Sequence, residues 1–148
     1  MSGDFELDLK AFAAKVGKLA DGVVAGTIAD LASIIDERSP VGDAKYWKRP
    51  PPPGDVGGHY RANWQVGVDA RPSGVIAGHN YSVTVGAAKA EIPAEASGHI
   101  YYLVNNVPYA WAIEDGTATP RQAPQGVAGR TVIEFKDIVA RRVASMAS

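Results

Sequence analysis

The chain has 148 residues, 46% of them hydrophobic, a formal net charge of −1 and no cysteine. That length suits one domain able to bury well over half of its unfolded surface, so residues 1–148 are read as a single domain. Near-neutral charge excludes a general grip on DNA phosphates, and the missing thiols exclude a disulfide framework, thiol catalysis and thiolate metal sites.

The N-terminal stretch MSGDFELDLK is acidic and has no apolar core of signal-peptide length. No stretch approaches the ~18 apolar residues of a membrane span. The expectation is a soluble chain folding in a reducing cytoplasm, with no membrane partner.

Residues 4–37 read as one long helix. Phe5, Leu9, Phe12, Val16, Leu19 and Val23 recur in steps of four and three, and Ile28, Leu31, Ile34 and Ile35 continue the stripe with a small phase shift. At ~1.5 Å per residue such a helix is about 50 Å long. Gly17, Gly22 and Gly26 lie inside it, each costing roughly 1 kcal/mol against alanine. Two readings stay open: a slightly bent helix lying on a sheet, or small residues that let another backbone, such as a neighbouring subunit, approach. Pro40 ends the helix by disfavouring helical geometry at Ser39.

Residues 41–58 form a proline-rich arm. Tyr46, Trp47, Lys48 and Arg49 lead into Pro50–Pro53, which favour polyproline II, and Gly54, Gly57 and Gly58 give a flexible return. Tyr46 and Trp47 are candidate docking residues on this arm. From Arg61 the period is two: Trp64, Val66 and Val68 alternate with Gln65, Gly67 and Asp69. Arg71 to Gly74 is a turn, and Tyr81, Val83 and Val85 alternate again as a second strand. Gly86 to Gly98 reads as a loop. This loop and the arm are expected to be mobile alone and to order on docking, having little apolar area to offset ordering entropy.

Ile100 to Val104 make a third strand, and the period then changes abruptly. Asn105 and Asn106 can accept hydrogen bonds from a following helical turn, Pro108 suits the first position of that turn, and Tyr109 to Glu114 fit one or two turns stopped by Gly116. Thr117 to Gly126 connects to a last helix near 127–146, with Val132, Phe135, Val139, Val143 and Met146 as its inner stripe. The fold class expected is α+β: long N-terminal and shorter C-terminal helices packed on one face of a small, mainly antiparallel sheet. Its strands lie near 61–70, 81–86 and 99–105, and its other face is free for a neighbour.

A search for chemistry returns little. His59, His79 and His99 have no helical His-x-x-x-His spacing or carboxylate cluster. Glu91 with Glu95 falls in the loop, and Glu114 with Asp115 at a helix end where acids are usually solvated. There is no glycine-rich phosphate loop, nucleophile elbow or nucleophile–base pair. The expectation is a protein that is not an enzyme and carries no cofactor and no metal.

VNNVPYAWAIEDG (Val104 to Gly116) followed by QAPQG (Gln122 to Gly126) is similar to the signature of the phage neck and tail-completion proteins. So are Ser39-Pro40-Val41 after a long helix and the run Arg61 to Val66. The resemblance spans roughly Leu9 to Val139. It differs in two places: the proline-rich arm stands where that family has a short Asp-Thr-Gly turn, and Asp115 stands where an aromatic is usual.

The resemblance implies a structural virion protein that joins the DNA-filled head to the tail in lambda-like long-tailed bacteriophages. It implies assembly in the host cytoplasm and residence in the virion neck. The partners implied are copies of itself in a ring of six, a head-side connector or head-closure protein, and a tail terminator or tail tube protein. DNA passes through the channel without specific binding. The residues it points to are packing and docking groups: Asn105, Asn106, Pro108 and Tyr109 as a corner, Trp64 as its anchor, and Gln122, Pro124 and Gly126 as the last turn. Two readings of other classes stand beside it: a binding adaptor using the arm at 48–58, and a small hydrolase using the histidines or acids.

Overall fold

One helix, α1 (Ser2–Arg38), supplies the surface on which the remaining elements are laid. The computed structural model describes residues 2–41, 57–116, 123 and 126–147, and for residues 2–10, 12, 13 and 147 it describes the backbone alone. The arm residues Tyr46, Trp47, Lys48 and Arg49, the four prolines, and Gln122 and Pro124 lie outside the described residues. α1 stops where the sequence indicates. The Ser39 N–H donates to the Asp36 carbonyl (3.1 Å) and its hydroxyl to that of Ile35 (2.7 Å), closing the last turn before Pro40.

The fold is α+β. A 3₁₀ turn (Arg61–Asn63) leads into β1 (Trp64–Val68), which pairs antiparallel with β2 (Tyr101–Asn105) so that Trp64 faces Asn105 and Val68 faces Tyr101. Alternation along β1 sends Trp64 and Val66 to the same side. There Trp64 joins Ile35, Tyr60, Val107, Ile113 and Val127 in one buried cluster, while Val66 joins Ala32 and Ala88 in a second.

The opposite side of the strands is not left free. A Cβ on Gly67 would collide with the Ala70 carbonyl and the Pro72 ring, and the Gln65 side-chain amide donates to the Gly74 carbonyl (3.1 Å). The turn after β1 therefore folds across that face.

The expected strand at 81–86 is a correction. Tyr81–Val83 is a 3₁₀ turn and Thr84–Ala90 is a helix, α2. The alternating Tyr81, Val83 and Val85 fits a strand, but it runs straight into Gly86-Ala87-Ala88-Lys89-Ala90, where alanine and lysine favour helix. α2 also occupies the start of the expected loop at 86–98, and Ala88 and Ala96 are buried.

The last helix is two. After α3 (Ala110–Glu114) come α4 (Ala128–Ile133) and α5 (Phe135–Ala147), parted at Glu134. The Arg38 guanidinium reaches across that break, donating to the Thr131 hydroxyl (3.0 Å) and the Glu134 carboxylate (2.5 Å). α5 returns along α1, where Arg142 binds the Asp30 carboxylate through two nitrogens (3.0 and 2.6 Å). A Cβ on Gly22 or Gly26 would run into Met146 or Arg142, so these glycines seat side chains of the chain's own last helix.

Candidate docking site

The turn before β1 ends with Asn63, which is 0% exposed. Its amide donates to the carbonyls of His59 (2.8 Å) and Ile76 (3.1 Å), and its oxygen accepts the Ile76 N–H (2.7 Å). One short side chain thus ties the entry to β1 to the loop beyond it. Trp64 donates from its indole to the Ser39 hydroxyl (2.8 Å), fixing β1 to the end of α1. Arg61 adds a two-nitrogen bond to Asp36 (3.0 and 2.8 Å) and lies 4.5 Å from the Tyr81 ring centroid.

Where β2 ends, Asn105 donates to the Tyr60 carbonyl (2.9 Å) and accepts the Val107 N–H (3.3 Å). The second contact is an Asx-type turn that starts the corner. Asn106 does not cap a helix. Its amide donates to the carbonyls of Pro72 (3.1 Å) and Gly74 (3.0 Å), holding the turn that covers β1. Pro108 is exposed in the turn before α3, and Tyr109 packs against the larger core cluster. Tyr60 is 4% exposed, its ring edge-on to Trp64 at 5.8 Å. Burial first, then the nearby negative charge of Glu114, pushes its phenol well above the ordinary tyrosine range.

Glu114 is the largest departure from expectation. Its carboxylate is not solvated at a helix end but accepts the N–H groups of Val127 (3.2 Å), Ala128 (3.0 Å) and Gly129 (2.6 Å). It therefore satisfies free donors of the first turn of α4 with a side chain from α3. Gly126 makes the approach possible: its φ is +77°, and a Cβ there would strike the Glu114 carbonyl and carboxylate.

Of the sequence-derived site residues, Trp64, Asn105, Asn106, Tyr109 and Gly126 come together here, with Pro108 on the rim. Asn63, Glu114 and Ser39 belong to the same network; Glu114 was weighed only as a solvated acid, and none of the three was read as a site residue. Each lies within or beside a motif marked by its turn residues, but each has a partner 13–25 residues away, which local signals do not reveal.

The surface over this network is an open groove of about 260 Å³, walled by Tyr60, Trp64, Arg71, Trp111, Glu114 and Ala128. Pockets that enclose small molecules run from roughly 300 to 1,000 Å³ and are concave. Trp111, 71% exposed, stands at its edge, with Val132 (72%) and Ile133 (86%) exposed on α4. Elsewhere, His59 and His79 lie with ring centroids 5.4 Å apart, and His99 pairs with Asp69 (2.6 Å). Among the described residues there is no group of three His, Cys, Asp or Glu placed to hold a metal, and no helix is long and apolar enough to cross a membrane. What the arrangement can do is hold a rigid corner and present apolar side chains beside it. Comparison of the chain with protein-family models, with curated proteins and with solved structures finds no match.

Proposed function

We propose that the chain is a structural subunit of the neck of a long-tailed phage, joining the filled head to the tail as one member of a closed ring of six. The observation that carries this reading is convergence. The stretches that resemble the neck family, Ser39-Pro40, Arg61 to Val66, Val104 to Gly116 and Gly126, meet through Ser39–Trp64, Asn105–Tyr60 and the Glu114 carboxylate beside Gly126. They serve as a scaffold with large apolar groups outside it, which is what an assembly part requires. Near-neutral charge suits a channel lining that DNA must pass, because each neutralised phosphate strengthens retention.

In such a part the work is docking. The corner holds its form while exposed side chains such as Trp111 and Ile133 meet neighbours. A phage lacking this gene is expected to yield filled heads and finished tails that fail to join, scored by electron microscopy of lysates. Normal numbers of intact, infectious virions overturn the reading.

A further inference from the structure

The two strands have unlike outer edges. Most of β1 is buried, while every residue of β2 is part-exposed. The ladder runs one step past the strands, where the Asp69 N–H donates to the Ile100 carbonyl (2.7 Å). Bonded and non-bonded positions alternate in an antiparallel pair, so Tyr102 and Val104 exchange bonds with Gly67 and Gln65 opposite them. Tyr101, Leu103 and Asn105 therefore turn their backbone N–H and C=O groups away from β1. Among the described residues nothing bonds to those groups.

Proteins usually blunt such an edge with a lysine, a proline or a bulge, or cover it. β2 carries neither charge nor proline. It is instead held ready at both ends: Asp69 accepts the Ile100 N–H (3.0 Å), and the Asn105 amide donates to the Tyr60 carbonyl (2.9 Å). A strand fixed in this way loses little freedom when another is laid beside it.

The open groove follows this edge. It is lined by Leu103 and Asn105 from one face of β2 and by Val104 from the other, so it passes over the edge between them. On the Leu103 side are Ala110 and Ala128, which pack against the Trp64 cluster, with Trp111 next in α3. Arg71 comes from the turn laid across Gly67, which is the Val104 side. The two charged residues of the lining differ in state. The Glu114 carboxylate is already met by three N–H groups. Exposed Arg71 has no acid and no hydrogen-bond partner among the described residues, and a carboxylate is the group its guanidinium binds best.

We propose that the groove takes an extended, acid-bearing segment of a partner protein as a third strand on β2. Main-chain bonds go to Leu103 and Asn105. Side chains of the added strand alternate, so apolar ones on one face meet the Trp111 side and acids on the other reach Arg71. The site rests on the assembly reading only for its source of strand, another protein of the neck.

The probe is a capped peptide as long as β2, alternating valine and aspartate, followed by NMR titration and amide exchange. Exchange at Leu103 and Asn105 should slow roughly tenfold, the worth of one hydrogen bond, while Tyr102 and Val104, already bonded to β1, hardly change. N-methylating the peptide nitrogens that face β2 should weaken binding roughly tenfold, and so should lysine in place of aspartate. Arg71→Ala should do the same with the fold intact, since no described residue holds that side chain. No response at Leu103 and Asn105 at about 1 mM peptide overturns the inference. Affinity indifferent to N-methylation or to Arg71→Ala also overturns it. Edge amides already protected in the free protein, and more so as its concentration rises, show a second copy in the groove and overturn the choice of partner. A silent groove beside unjoined heads in phage lacking the gene leaves the assembly reading standing, whereas joined virions remove that reading alone.

Discussion

The corner and the α1–α5 seam both hold distant parts of the chain together, yet they do so with opposite chemistry. In the corner, short side chains bond to backbone groups of neighbouring turns; Asn63 is itself fully buried and satisfies three backbone partners. In the seam, the long Arg142 side chain meets Asp30 with about a third of each still exposed. Losing Asn63 from the corner empties a fully buried position and leaves part-buried donors and acceptors unpaired, whereas in the seam water takes the vacated place. One region fixes a single geometry and the other closes a surface.

The largest test of that contrast is Asn63→Ala. It strands the Ile76 N–H and two carbonyls, and should lower unfolding free energy by about 3 kcal/mol. The urea midpoint reads it directly. A loss below about 1 kcal/mol would mean that water enters the corner after all.

Gly126→Ala comes next, at about 2 kcal/mol, because the new Cβ meets both a positive φ and the Glu114 carbonyl. Amide exchange at Val127, Ala128 and Gly129 should quicken in this variant more than at any residue of β1. Uniform quickening across the chain would show that the clamp has no local role.

On the seam side, Arg142→Ala should cost about 0.5–1 kcal/mol, since its ion pair is partly exposed. Most of that cost should fade in 1 M salt, where screening acts within ~3 Å. A penalty equal to that of Asn63→Ala would erase the distinction between the two regions.

The smallest effect concerns pH. His99 is held above its ordinary value of 6.5 first by its hydrogen bond to Asp69, and Asp69 below 3.8 first by the Ile100 N–H. The histidine contribution is therefore full below pH 6.5 and lost as pH rises through the higher folded value. The aspartate contribution is full above pH 3.8 and lost as pH falls through the lower one. Between those limits both hold the bracket at the end of β1. NMR titration should place the His99 ring above 6.5, and Asp69→Asn should return it; an unmoved titration in that variant refutes the pairing.

Much of the frame was legible because its signals are local. The 4–3 stripe and Pro40 mark α1, and the change of period after Val104 marks the corner. The strand expected at 81–86 failed for a physical reason. Three alternating residues cannot outweigh the helix-favouring run that follows, and Val83 is 57% exposed, so its side chain gains little from sheet burial. The roles of Asn106 and Glu114 depend on partners 32–34 and 13–15 residues away, which turn chemistry alone does not reveal. The same holds for Gly22 and Gly26, whose small size was evident while the side chains they admit come from the far end of the chain.

That far-end closure has a consequence for how the protein is made. Asp30 and Arg142 are 112 residues apart, and translation at ~5–20 residues per second separates their synthesis by about 6–22 s. During that interval β1 can lay Trp64 and Val66 on α1, but the strip destined for α5 stays open. A nascent chain halted before Ala128 should be cut by protease within α1 near Gly22 and Gly26, and the released full chain should resist. Equal resistance of the two would show that α1 acquires its protection before its last partner is made.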